Sequence, residues 1–210
     1  VQHFQIYSFQ YKIDYQDMCD TFPDSQFCIE KNKFGNVEQW CPKNSGDKYG
    51  RTRTLKNALA NSVNTVTARL MDRIGPRTVV KLAKDLGIEQ RILPVPSIAL
   101  GTPDLSVYEM VAAYSTFANK GVYTQPVFIE RIEDKNGTTL YENKPVTRDV
   151  LSEEAAYVTV NLLEGVTKAG SGTRLRTTGA DEFNRAYQNV VTGYPYEITN
   201  PISGNTGWHI

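Results

Sequence analysis

Apolar residues recur along this chain in blocks of helical period, separated by polar intervals rich in glycine and proline. Leu55, Leu59, Val66, Leu70 and Ile74 fall on one face of a helix, and Gly75-Pro76 stops the pattern. Pro76 opens a second helix in which Val79, Val80, Leu82, Ala83 and Leu86 are apolar, with Gly87 as its natural C-terminal stop. The two helices are expected to meet at a corner. Asp104 or Ser106 can cap a further helix, whose stripe of Val107, Met110, Val111, Tyr114 and Phe117 reads as core packing. Ser152-Glu-Glu154 caps another, which ends in the glycine-rich run Ala169-Gly-Ser-Gly-Thr-Arg-Leu-Arg176. No strand precedes that run and no Gly-Lys-Thr follows it, so it reads as a helix end and not as a phosphate cradle.

Strand signals are fewer. The segments VFIERIED and TTLYEN, joined by Lys135-Asn136-Gly137, predict a hairpin whose Asn-Gly turn supplies positive φ angles that match strand twist. Residues 88 to 104 hold three prolines and read as extended or turn-like, and residues 15 to 50 read as an irregular connection. Helices and hairpins without a regular strand-helix alternation predict an antiparallel sheet packed with helices.

Composition narrows the function. With 210 residues, 40% of them apolar and 22% charged, the chain can bury one sizeable core. Its 23 basic and 23 acidic residues balance, so no net field favours nucleic acid or an anionic bilayer. No apolar run approaches the roughly 20 residues of a membrane span, and the first residues lack signal-peptide order, so any anchor is expected outside this chain. Cys19, Cys28 and Cys41 permit one disulfide and leave one thiol over. They show no metal-ligand spacing.

Only His3 and His209 are present, at opposite ends, which argues against a Ser-His-Asp triad and against a two-histidine metal site. A hydrolase or acyl transferase built from this chain needs another base, and a lysine of lowered pKa three residues after a serine can serve. The one literal match, Ser45-Gly-Asp-Lys48, lies in a polar loop where water keeps the lysine charged, and is read as chance. More informative is TLKNALANSVNTVTARLMDRIGP, where Asn61, Ser62, Asn64 and Thr65 interrupt the apolar period and break the helix. Ser62 and Asn64 then project from the junction; helix capping alone would also explain them.

That stretch, together with PSIALGTPDLSVYEMVAAYSTFANKGVYTQPVFIERIEDKNGTTLYE, NLLEGVTKAGSGTRLR and TNPISGNTG, closely resembles the transpeptidase domain of class A (bifunctional) penicillin-binding proteins, from about residue 36 onward. Members carry the motifs S-x-x-K, S-x-N and K-[ST]-G around one cleft. The resemblance implies an α/β (α+β) fold with a five-stranded antiparallel sheet between helices. It also implies serine-based D,D-transpeptidation of peptidoglycan stem peptides at the periplasmic face of the bacterial inner membrane. β-Lactams would act as inhibitors, other cell-wall synthesis proteins as partners, and no metal or organic cofactor is needed. Residues 1–210 would form a partial transpeptidase domain, incomplete at both ends, with the anchor and glycosyltransferase domain outside this chain.

Ser62-Val63-Asn64 matches S-x-N, in which the family's serine relays a proton to the leaving amine and the asparagine orients the substrate amide. Thr206-Gly207 matches the end of K-T-G, a substrate-binding edge, with Asn205 in the lysine position. Counting back from Ile13-Asp14 puts Gln2 at the nucleophile and Gln5 at its lysine, and an amide can replace neither. Trp208 follows Gly207 at once, where the family continues with a polar loop. Two explanations stand: a degenerate, deleted domain, or a sequence interrupted at both ends. A catalytically inactive pseudo-transpeptidase serving as a cell-wall binding or scaffold module is the alternative function, and a β-lactam sensor is a third.

Overall fold

A computed structural model of the protein describes residues 20–173. Gln2, Gln5, Cys19, Asn205, Thr206 and Gly207 lie outside the described residues. The order of elements is β1 (Thr21–Pro23), a 3₁₀ turn (Ser45–Asp47), β2 (Thr52–Thr54), α1 (Leu55–Ala60), α2 (Asn64–Ile74), α3 (Pro76–Asp85) and a second 3₁₀ turn (Pro96–Leu100). Then follow α4 (Val107–Ala118), β3 (Val122–Thr124), β4 (Arg131–Glu133), β5 (Thr139–Glu142), β6 (Thr147–Asp149) and α5 (Glu153–Ala169).

The predicted helices form where their caps direct. Thr54 accepts the Asn57 N–H to start α1, and Ser152 accepts the Ala155 N–H to start α5. Ser106, not Asp104, caps α4, closing a reciprocal capping box with Glu109. The α2–α3 corner turns at Gly75, and α3 ends in a Schellman motif in which Gly87 and Ile88 donate to the Lys84 and Ala83 carbonyls.

Two apolar clusters fill the interior. One joins Phe22 of β1 with Leu55, Leu59, Val66, Leu70, Val158 and Leu162, so α1, α2 and α5 pack together. The other gathers Ile29, Met71, Leu82, Leu86, Ile88, Ile98, Ala113 and Phe117 around α3 and α4, and Leu151 packs against both.

Two expectations are corrected here. The α4 stripe is core only at Phe117: Val107 is 80% exposed, and Val111 and Tyr114 are exposed too. The helix instead buries Glu109, Ala112, Ala113, Thr116 and Phe117 where it meets α5 and β3, and its small residues allow that approach. The hairpin β4–β5 is present, but Gly137 alone in its turn has positive φ, at 82°. Asp134 accepts the N–H groups of Asn136 and Thr138 at 2.8 Å each, which holds a longer loop ending in a left-handed glycine in place of a two-residue turn.

Among the described residues the strands form three two-stranded antiparallel ribbons, β1–β2, β3–β6 and β4–β5. The expected α+β class with antiparallel pairing is present, without a five-stranded sheet among these residues. The segment 20–50 is largely irregular as expected, apart from β1 and the 3₁₀ turn, and is closed by a Cys28–Cys41 disulfide.

Candidate active site

The break between α1 and α2 falls where Asn61, Ser62, Asn64 and Thr65 interrupt the apolar period. Ser62 N–H donates to the Leu59 carbonyl at 3.0 Å, and Val63 N–H to that of Ala58 at 2.9 Å. This is the bond pattern of a Schellman cap, and it places Ser62 at the position normally given to glycine. Its φ is accordingly 54°, a left-handed conformation that costs a serine about 1–2 kcal/mol. Strain of this kind in a non-glycine residue clusters at functional sites.

Ser62 caps α1 through its backbone, and neither Ser62 nor Asn64 is the N-cap residue of α2. Val63, not Ser62, is the N-cap of α2 and supplies no side-chain cap. Among the described residues none hydrogen-bonds the half-buried Ser62 hydroxyl. Asn64 is the first residue of α2, and its Nδ2 donates to the Lys43 carbonyl at 2.7 Å. That bond holds its amide in one orientation.

The loop itself is anchored on a buried carboxylate that the sequence did not single out. Asp24 is fully buried. Its Oδ1 accepts from Asn44 Nδ2 at 2.6 Å and from Thr65 Oγ1 at 3.0 Å, and its Oδ2 accepts from Arg53 Nε at 2.6 Å and Gly50 N–H at 3.0 Å. Burial alone would raise the Asp24 carboxyl. Hydrogen bonds from Arg53, Asn44 and Thr65, with the Arg53 charge, outweigh that and hold it below its ordinary value of 3.8. Asn44 Oδ1 in turn accepts the Thr65 backbone N–H at 3.1 Å, satisfying one of the free donors at the start of α2.

On the other side of the junction, the glycine-rich end of α5 docks on α1. Ser171 N–H donates to the Ala60 carbonyl at 2.9 Å, and Lys56 Nζ to Asn161 Oδ1 at 2.8 Å. A Cβ on Gly170 would lie 2.0 Å from the Ala60 oxygen, so only glycine permits this contact. The run therefore ends its helix as read, and also buttresses the residues just before Ser62. Ser45 and Lys48, the literal S-x-x-K match, are both exposed in the Asn44 loop. Among the described residues no cluster of His, Cys, Asp or Glu could hold a metal ion.

A left-handed serine and a hydrogen-bonded amide thus stand two positions apart at a helix junction held from both sides, a hydroxyl and an amide on one polar edge. The chain matches the family described as penicillin binding protein transpeptidase domain across residues 19–187, and it belongs to that family. Its relatives are of the class A kind. Penicillin-binding protein 1A of Aquifex aeolicus (strain VF5) is 35% identical over 171 residues, which are 77% of this chain and 23% of that protein. Penicillin-binding protein 1A of Clostridium novyi (strain NT) is 34% identical over 173 residues, covering 80% of this chain and 18% of that protein. The chain thus spans about a fifth of the length of these relatives. The solved structure of penicillin-binding protein 1A from Haemophilus influenzae superposes with a TM-score of 0.69 at 22% identity, over 78% of this chain and 30% of that one, and shows the same fold.

Proposed function

We propose that this chain is part of a serine-type peptidoglycan D,D-transpeptidase domain, with Ser62 and Asn64 forming one wall of the acyl-transfer cleft. The observation that carries the reading is the left-handed Ser62, whose hydroxyl caps no helix although its backbone is strained. In the reaction a serine hydroxyl attacks the carbonyl before the terminal D-alanine of a stem peptide, and D-alanine leaves as its amine takes a proton. A neighbouring stem's amine then displaces the serine. Ser62 would pass the proton to the leaving amine, and Asn64 would hold the substrate amide. Asn205, Thr206 and Gly207 would line the opposite edge.

The Cys28–Cys41 disulfide supports an oxidising compartment, hence the periplasmic face of the inner membrane. Among the described residues no helix is long and apolar enough to cross a membrane. β-Lactams, which mimic the donor, would acylate the attacking serine of that reaction, a role distinct from that of Ser62.

Gln2, Gln5 and Asn205 favour a second reading, a pseudo-transpeptidase that binds stem peptides without acylation, because together they lack nucleophile, base and carboxylate-binding charge. Intact-mass analysis of the full-length protein after incubation with a labelled penicillin separates the two. A stable adduct on the peptide around residue 2 supports the enzyme. No adduct from a chain that melts cooperatively supports the binding module.

A further inference from the structure

The Asp24 carboxylate serves groups from three separate stretches of chain, and the bonds of its Oδ1 lead toward the Ser62–Asn64 junction. Through Asn44 it fixes the loop whose Lys43 carbonyl holds the Asn64 amide, and through Thr65 it grips the first turn of α2. Arg53 and Gly50 neutralise and satisfy its second oxygen, so the carboxylate cannot turn away from Asn44 without leaving a buried donor unpaired. An α2 whose N-cap residue has no capping side chain thus receives its cap from a loop 21 residues earlier.

We infer that Asp24 is a positioning residue for the cleft: by holding Asn44 it sets the orientation of the Asn64 amide. Naming Asn64 a cleft residue rests on the function proposed above; the geometric relay does not. Asp24→Asn keeps the shape but offers Asn44 a donor where it needs an acceptor. Asn44→Ala breaks the same relay while leaving the Asp24–Arg53 pair in place. The double exchange, Asp24→Asn with Asn44→Asp, restores a donor facing an acceptor and a carboxyl oxygen for Thr65 N–H; it gives up the bond from Asn44 Nδ2 to the Lys48 carbonyl, at 3.0 Å, so recovery is partial.

The test uses the full ¹⁵N-labelled chain and follows the Asn64 side-chain amide signals and the hydrogen exchange of Thr65 N–H, with the thermal melt as a control. In Asp24→Asn the Asn64 signals shift and Thr65 exchange speeds by about fivefold, the effect of a lost helix cap. Exchange at Leu162 in α5 is unchanged, and the double exchange returns both readouts toward the starting protein. Should Asp24→Asn fail to fold, Asn44→Ala is read in the same way. The inference is overturned if the Asn64 signals and Thr65 exchange stay put, if every amide loosens together, or if the double exchange restores nothing. None of these readouts requires acylation, so a protein that takes no penicillin would defeat the proposed function and leave the relay standing or falling by its own spectra.

Discussion

Asn44 precedes Thr65 by 21 residues, yet its side-chain oxygen accepts the Thr65 backbone N–H at 3.1 Å, so α2 is capped by a distant loop. Asn44→Ala removes that acceptor and strips a buried donor from Asp24. A loss of about 1–2 kcal/mol is expected, typical of a lost cap. Thermal unfolding should show it as a fall of a few degrees.

Ser62→Gly should raise stability. Glycine adopts φ near 54° without the Cβ penalty, so a gain of about 1 kcal/mol is expected, reduced by the greater freedom of glycine in the unfolded chain. Ser62→Ala keeps the strain and should give no such gain. A higher melting temperature for the glycine variant than for the alanine variant checks the assignment, and both variants lose the hydroxyl the proposed reaction needs.

Gly165 within α5 and Gly170 just past its end should respond with opposite signs. At Gly165 an added Cβ meets its nearest neighbour, Ala60 Cβ, at 3.7 Å, an ordinary contact. Gly165→Ala is therefore expected to stabilise by about 0.5–1 kcal/mol through helix propensity. At Gly170 the added Cβ meets a backbone oxygen, and Gly170→Ala should cost about 1–3 kcal/mol by overpacking. Equilibrium denaturation of both variants decides the point, and equal effects would contradict the close approach of α5 to α1.

Acid should weaken the fold through two buried carboxylates. For Glu109 burial pushes the carboxyl up, but the Ser106 hydroxyl and the N–H groups of Gln90, Ser106 and Glu89 bring it below its ordinary 4.5. Asp24 is likewise below 3.8. A folded value below the unfolded one means that the stabilisation is fully present above the unfolded value and fades as pH falls through the folded one. Stability from these two groups is thus expected to be flat above pH 5 and to decline below about 4.5. Asp24→Asn should flatten part of that acid limb in a pH series of melts.

The sequence made the junction legible because four consecutive-range polar residues, Asn61, Ser62, Asn64 and Thr65, compete for backbone bonds where apolar period demands helix. Cap residues carried the same kind of local information, which is why the starts of α4 and α5 follow from Ser106 and Ser152. The α4 stripe held at Phe117 and misled at Val107, Val111 and Tyr114, because helical period marks an apolar face without saying how much of that face is covered. The hairpin turn misled because the Asp134 side chain, not the Asn-Gly pair, sets the loop. Asp24 and Asn44 were invisible for a different reason: their partners stand 20 to 41 positions away, and an Asp or Asn in a polar loop looks the same whether it faces solvent or closes a buried network.

The β4–β5 ribbon has every residue of both strands exposed, including Ile132, Leu140 and Tyr141, and neither apolar cluster includes any of its strand residues. Beside it, the backbone bond from Gln125 to Val146 already brings the two flanking chain segments together at 3.0 Å. Among the described residues the ribbon thus stands outside both apolar clusters, so the Ser62 junction is expected to tolerate changes in the length and sequence of this hairpin.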